Sequence, residues 1–226
     1  MKKRFFAGLL ASATVLGMFV AGGTAFATEV DTDDTEVGIG FSMHQPGGSG
    51  PLKIRWTPIE LDFGTSNTVN TAVNDFLEQD EVGGVHKYAV VEDARDHTGA
   101  DVEWRLTAKV AELISTSSPT TKLTGAVLKF DTDKHDYSGT ISPEIAGIGT
   151  ATPAHTATMN ANYSLVTGAA TATNVMQDGD IASSATSFEG MTAMELKNIK
   201  LTVPANVAKK GHHYTGKLTW SLDDAI

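Results

Sequence analysis

Three groups of residues in this chain have types and spacings that bear on chemistry. His212 and His213 are adjacent imidazoles, a residue type that ligates metals and moves protons. Neighbours on a strand point to opposite faces, so the two do not converge on one ion, and a solvated pair is the better reading. Asp131, Asp133 and Asp136 resemble the opening of a calcium loop, because a hard cation collects carboxylate and carbonyl oxygens from a tight turn. His135 and Asp136 stand where that pattern wants an acid followed by glycine, and no glutamate closes it. The run Asp131 to Gly139 therefore reads as a turn with solvated acids, and no metal is called for. The third group is a repeated tripeptide, Trp104-Arg105-Leu106 in VEWRLTA and Trp220-Ser221-Leu222 in KLTWSLDDA. Positions i and i+2 of a strand share a face, so each copy sets an indole beside a leucine. The two ledges either form one apolar platform or fill the core, and the pattern alone favours the core, since large aromatics dominate core energetics. No zinc-protease, nucleophile-elbow, phosphate-cradle or dinucleotide spacing is present, so neither an enzyme nor a cofactor is expected.

The elements that must position these residues are strands. From Val37 onward, short apolar or alternating stretches exchange with turn-rich ones, and no long 3.6-residue periodicity competes. Strands are predicted at Val37 to Met43, Leu52 to Trp56, Ile59 to Phe63, Lys87 to Val91, Val102 to Leu113, Leu123 to Phe130, Lys197 to Val203 and Tyr214 to Leu222. His44 to Pro51, Gly83-Gly84 and Asp131 to Gly139 supply turn residues between them. Asn74 to Glu81 reads as a helical turn capped by Asn74. Ser142 to Thr173, rich in Ala, Thr and Gly, reads as loosely patterned strands or an irregular excursion.

Lys2-Lys3-Arg4, the apolar run Phe5 to Val20 and Ala25-Phe26-Ala27 have the order of a secretory signal, so residues 1–27 are expected to be removed. The apolar run is shorter than the roughly 20 residues a bilayer span needs, and no membrane insertion is expected after cleavage. Residues 28–36 read as an acidic, solvated leader, and residues 37–226 as one β domain. The chain has 17 basic and 27 acidic residues and a formal charge of −10, which becomes −13 once Lys2, Lys3 and Arg4 are gone. That balance repels nucleic acid and anionic lipid, whose partners bind them through Lys and Arg. With no cysteine, an exported chain must hold itself together by core packing and backbone hydrogen bonds alone.

These residues resemble the WxL family of cell-surface proteins from Gram-positive bacteria. Besides both Trp-x-Leu tripeptides, the resemblance is carried by Leu61-Asp62-Phe63-Gly64, Val91-Glu92-Asp93-Ala94-Arg95, Leu201-Thr202-Val203-Pro204 and the run from Tyr214 to Ala225. Family members usually close the last motif with proline, whereas this chain ends in Ile226. The resemblance implies an all-β, Ig-like or related sandwich, mostly antiparallel, with long irregular loops. It implies non-covalent attachment to peptidoglycan, with both motifs needed and Trp104, Leu106, Trp220 and Leu222 as binding residues. It also implies partners, namely WxL-interacting or other surface proteins, in a complex at the cell surface. The alternative is a docking subunit that binds such a protein while the partner supplies wall attachment. An acidic chain cannot rely on anionic teichoic acids, so attachment should use apolar, stacking and hydrogen-bonding contacts to glycan or peptide. N-terminal sequencing of the secreted protein should begin at Thr28, and a start at Met1 would rule out the cleavage.

Overall fold

The computed structural model describes residues 29–37, 49–69, 71–97, 102–148, 157–179 and 188–224. The expected signal, 1–27, and all but Val37 of the expected strand Val37 to Met43 lie outside them. The chain runs β1 (Glu29–Val37), β2 (Leu52–Trp56), β3 (Glu60–Leu61), β4 (Asn74–Leu77), the one-turn helix α1 (Gln79–Val82), β5 (Lys87–Asp93), β6 (Trp104–Val110) and β7 (Ile114–Ser115). It continues through β8 (Ser118–Lys122), β9 (Val127–Tyr137), a second one-turn helix α2 (Pro143–Ala146), β10 (Asn162–Val166), β11 (Thr173–Asp178), β12 (Gly190–Val203) and β13 (Tyr214–Asp223). No helix among the described residues is long and apolar enough to cross a membrane.

The strands form an all-β sandwich of mostly antiparallel pairs. One sheet runs β11-β6-β13-β1-β3, with β7 and β8 continuing from β13; the other runs β10-β9-β12-β5-β2, with β4 beside β12. Alternation decides what lies between the sheets. Along β6, Trp104, Leu106, Ala108 and Val110 are buried while Arg105, Thr107 and Lys109 are only half-buried, the period of two that a sheet with one covered face requires. Across the gap, Ile54, Val91, Leu128, Phe130 and Leu196 join the same core.

The second sheet is covered on both faces, which explains the continuous apolar run at β5. Ala89 and Val91 enter the main core, while Tyr88 and Val90 join Trp56 and Ala193 in a smaller cluster on the outer face. Trp56 reaches that cluster through a bulge, since Ile54 pairs with Val91 but Trp56 with Val90. The extra residue turns Trp56 to the opposite face from Ile54, where its ring meets Tyr137 edge-on at 5.6 Å. A second bulge lies in β12 between Lys197 and Lys200, where Asn198 takes a positive φ of 51°. The Glu81 carboxylate accepts from the N–H groups of Asn198 and Ile199, replacing the ladder bonds lost there.

Three expectations are corrected. The acidic run is no leader: it is β1, antiparallel to β13 from Glu29 to Val37. Its acids serve as acceptors, Asp31 for the Ile54 N–H at 2.7 Å and Asp33 for the Thr57 hydroxyl at 2.8 Å, so one strand's carboxylates tie it to the other sheet. Asp131 to Tyr137 is strand, because Phe130 and Thr132 keep the inward alternation while Asp133 faces Lys197. Asn74 opens β4 rather than capping a helix; the cap is Glu78, whose side chain accepts from Glu81 N. Within Ser142 to Thr173, the structure forms α2 and β10, and residues 149–156 lie outside the described part.

Two carboxylates make the sandwich acid-sensitive. Burial alone would raise Asp34, but hydrogen bonds from Thr219 and Lys217 outweigh it and hold the carboxyl below its ordinary value. The Thr202 hydroxyl does the same for Asp75 against burial, with help from Lys200. A depressed carboxylate contributes stability above its unfolded value of about 3.9, and that contribution disappears as pH falls through the folded value. Thermal melts should therefore drop as the pH is lowered below about 4. The Asp34→Asn, Asp75→Asn double variant should lose part of that dependence, and an unchanged pH profile would refute the assignment.

Candidate functional site

The two Trp-x-Leu tripeptides lie side by side. β6 and β13 are antiparallel neighbours with Leu106 opposite Leu222 and Ala108 opposite Trp220. All four motif residues project from the same face, as the sequence pattern requires, and that face is the inner one. Trp104 and Leu106 are 1% and 0% exposed, Trp220 and Leu222 both 0%. The ledges thus make one platform, but it is the floor of the core. Expected as binding residues, they are buried here in the main core between the two sheets. The middle of the first motif does face outward, where the Arg105 guanidinium meets Asp223 at 2.9 Å, one residue beyond the second motif.

Each indole is fixed differently. Trp220 Nε1 donates to Thr35 Oγ1 at 2.9 Å, and that hydroxyl donates onward to the Pro58 carbonyl at 2.8 Å. This relay links β13, β1 and the segment leading into β3, and it is possible only because the acidic run is a strand carrying Thr35 at its inward position. The Trp104 Nε1 has no acceptor among the described residues. Its position is set instead by the clamp before it: Asp93, 1% exposed, takes Arg95 through both oxygens at 2.9 and 2.7 Å. Arg95 in turn donates to the Glu103 carbonyl at 3.1 Å. The Val91-to-Arg95 motif noted in the sequence is therefore the brace of the first tryptophan.

The other two sequence motifs meet at a cleft of about 780 Å³ at the far end of the sandwich. Asp62, Phe63 and Gly64 supply one wall, with Leu201 and Val203 on the floor. Gly64 holds φ +81°, and its N–H donates to Asp62 Oδ1 at 2.8 Å, so the turn that shapes the wall needs a residue free to take the left-handed region. The turn between β12 and β13 forms the rim with Lys209, Lys210 and His213. None of the four Trp-x-Leu residues lines it. His212 and His213 precede β13 and both line the cleft; His213 is exposed, but His212, expected to be solvated, is half-buried, with Nδ1 2.8 Å from Ser115 Oγ and its ring stacked on Tyr214 at 6.2 Å.

Sequence reasoning missed the buried charges. Lys87 is 1% exposed, with Nζ 2.7 Å from Asp80, 2.8 Å from Glu144 and 3.8 Å from Glu78. Burial opposes its charge, but the hydrogen bonds to Asp80 and Glu144 outweigh it and raise the ammonium above its ordinary value. Burial dominates at Glu78 and raises its carboxyl. Glu195 sits between His86 Nδ1 at 2.6 Å and His135 Nε2 at 2.7 Å. Beside it the Tyr88 phenol is pushed up to about 12, by burial first and then by the Glu195 and Glu144 carboxylates, so it stays protonated. Asp80 and His86 reach the surface while the rest stay buried, and none of these groups lines the cleft. A lysine heading the apolar run KYAVV was the one available signal.

The unequal anchoring of the indoles is measurable. Trp220→Phe strands the Thr35 relay, whereas Trp104→Phe removes an N–H that has no acceptor among the described residues. Denaturant unfolding should show Trp220→Phe costing about 1 to 2 kcal/mol more than Trp104→Phe. Equal costs would mean that the relay contributes nothing.

The family description "WxL domain surface cell wall-binding" matches residues 29–225. No curated protein and no solved structure matches the chain. With the match spanning every described strand and both tripeptides in paired register, the chain belongs to the WxL domain surface cell wall-binding family.

Proposed function

We propose that this protein is a retention module that binds peptidoglycan without a covalent bond and holds a surface complex at the wall. The observation that carries the reading is the match to a surface cell wall-binding family over residues 29–225. The family is described by binding, and among the described residues Asp62 is the single carboxylate lining the cleft, where glycan hydrolysis needs two. The paired register supports a particular role for the motif. Trp104, Leu106, Trp220 and Leu222 fasten β6 to β13 from inside, so both copies are needed for one packed unit, and wall contact belongs to other residues.

A second reading, docking of a WxL-interacting or other surface protein, is favoured by Leu77, Val82 and Val85, which are 54%, 68% and 41% exposed around α1. The two roles are compatible on different faces.

Co-sedimentation with sacculi stripped of teichoic acid tests the first reading, and wild type should pellet with them. Trp104→Ala and Trp220→Ala should each lose about 3 to 5 kcal/mol of stability and still bind wherever they remain folded. Loss of binding by a variant that melts as cooperatively as wild type would place the indoles on the wall and overturn the core role. If wild type ignores the sacculi but captures a surface protein through the α1 face, the docking reading replaces the first.

A further inference from the structure

The cleft at the far end of the sandwich has a charge opposite to the rest of the molecule. The chain carries ten more acidic than basic residues at pH 7, yet Lys209, Lys210 and His213 line this rim and Asp62 is the lone acid facing them among the described residues. Several cations elsewhere hold carboxylates: Arg105 holds Asp223, Lys122 holds Glu112 and Lys197 holds Asp133. Lys209 and Lys210 are exposed and form no ion pair among the described residues.

The turn that presents them is built rather than loose. Lys209 N donates to the Tyr214 hydroxyl at 2.9 Å, His212 N to the Lys209 carbonyl at 3.2 Å, and Val207 and Ala208 pack against the main core. Below the rim, the floor is apolar, with Phe63, Phe76, Leu123, Leu201 and Val203. Two adjacent cations above an apolar floor suit a ligand with carboxylates at one end and small methyl-bearing side chains along its length. Sugar recognition asks for something else, an aromatic face flanked by amides and carboxylates that divide the hydroxyls between them. Asn67 is the one side-chain amide in the lining among the described residues.

We infer that this cleft receives the carboxylate-bearing stem peptide of peptidoglycan, with Lys209 and Lys210 holding its carboxylates and the floor its alanine methyls. The inference rests on the wall-binding reading and adds which part of the wall is held. It also separates contact from signature. Tyr214, in the cleft, and Trp220, in the core, are six residues apart on β13, roughly 20 Å at strand rise.

The test uses the secreted protein, a synthetic stem tetrapeptide, the same peptide with its carboxylates amidated, and an N-acetylglucosamine oligomer. Wild type should bind the free tetrapeptide. The Lys209→Ala, Lys210→Ala double variant should bind it about tenfold more weakly with an unchanged melt, since both side chains are exposed. Amidation should weaken binding to wild type by a similar factor, and binding should fall as salt is added. Wild type that pellets with sacculi but ignores the tetrapeptide, or prefers the glycan oligomer, would overturn the cleft assignment and leave wall attachment standing. A double variant that binds the tetrapeptide as well as wild type would also overturn it. Wild type that fails to pellet with sacculi would overturn the wall reading and this assignment with it.

Discussion

The ladder between β6 and β13 is the constraint on which the rest of the molecule depends. Strand side chains alternate between faces, so a one-residue slip of either strand would carry its Trp and Leu from the core to solvent. The register that puts Leu106 opposite Leu222 is held inside by packing and outside by the Arg105–Asp223 pair. On its flanks, β11 adds Met176 opposite Leu106, and β1 brings Thr35 to the indole of Trp220. Without cysteine to staple it, the sandwich relies on this interlocking of large side chains, and the tripeptides are where the largest of them are concentrated.

A division of labour follows across the molecule. Its family signature is interior, whereas Lys209 and Lys210 stand exposed on the turn at the opposite end of β13 and Leu77, Val82 and Val85 around α1. Motifs that look functional in sequence turn out to serve different ends. Asp93 and Arg95 brace Trp104, while Phe63 and Leu201 shape a cleft that Trp104 never approaches. The outer face of the second sheet is closed by Trp56, Tyr88, Val90 and Ala193, and the buried Lys87 is held by Asp80 and Glu144.

Much of this was legible from periodicity. The strand at Leu52 to Trp56 was read at its observed limits, and β5, β6, β12 and β13 at overlapping ones, because apolar alternation reports a covered face directly. What failed did so where a polar residue finds its partner from afar. Asp31 and Asp33 read as solvated because Ile54 N and Thr57, which they serve, are more than 20 positions away in sequence. Asp131 and Asp133 read as a turn because Asn198 and Lys197, which face them, lie on β12. The short strands β4, β7 and β8 carry too few large side chains to announce a period. For the site, sequence placed the two indoles beside leucines on one face but could not say which way that face points. The cleft was invisible, since its walls come from segments that only the fold brings together.

The bond from Trp220 to Thr35 spans 185 positions in the chain. Strand β1 meets β3 over only two residue pairs, and the rest of its length pairs with β13, so most of that edge waits for the last described strand to be made. A topology dominated by such distant pairings folds slowly, and a waiting edge of ordinary composition invites other chains to pair with it. Asp31, Asp33 and Asp34 make that edge self-repelling until the right partner arrives with Lys217 and Thr219 to receive it. The acidity that suggested a mere solvated leader is thus a safeguard against misassembly during the longest delay in the life of the fold.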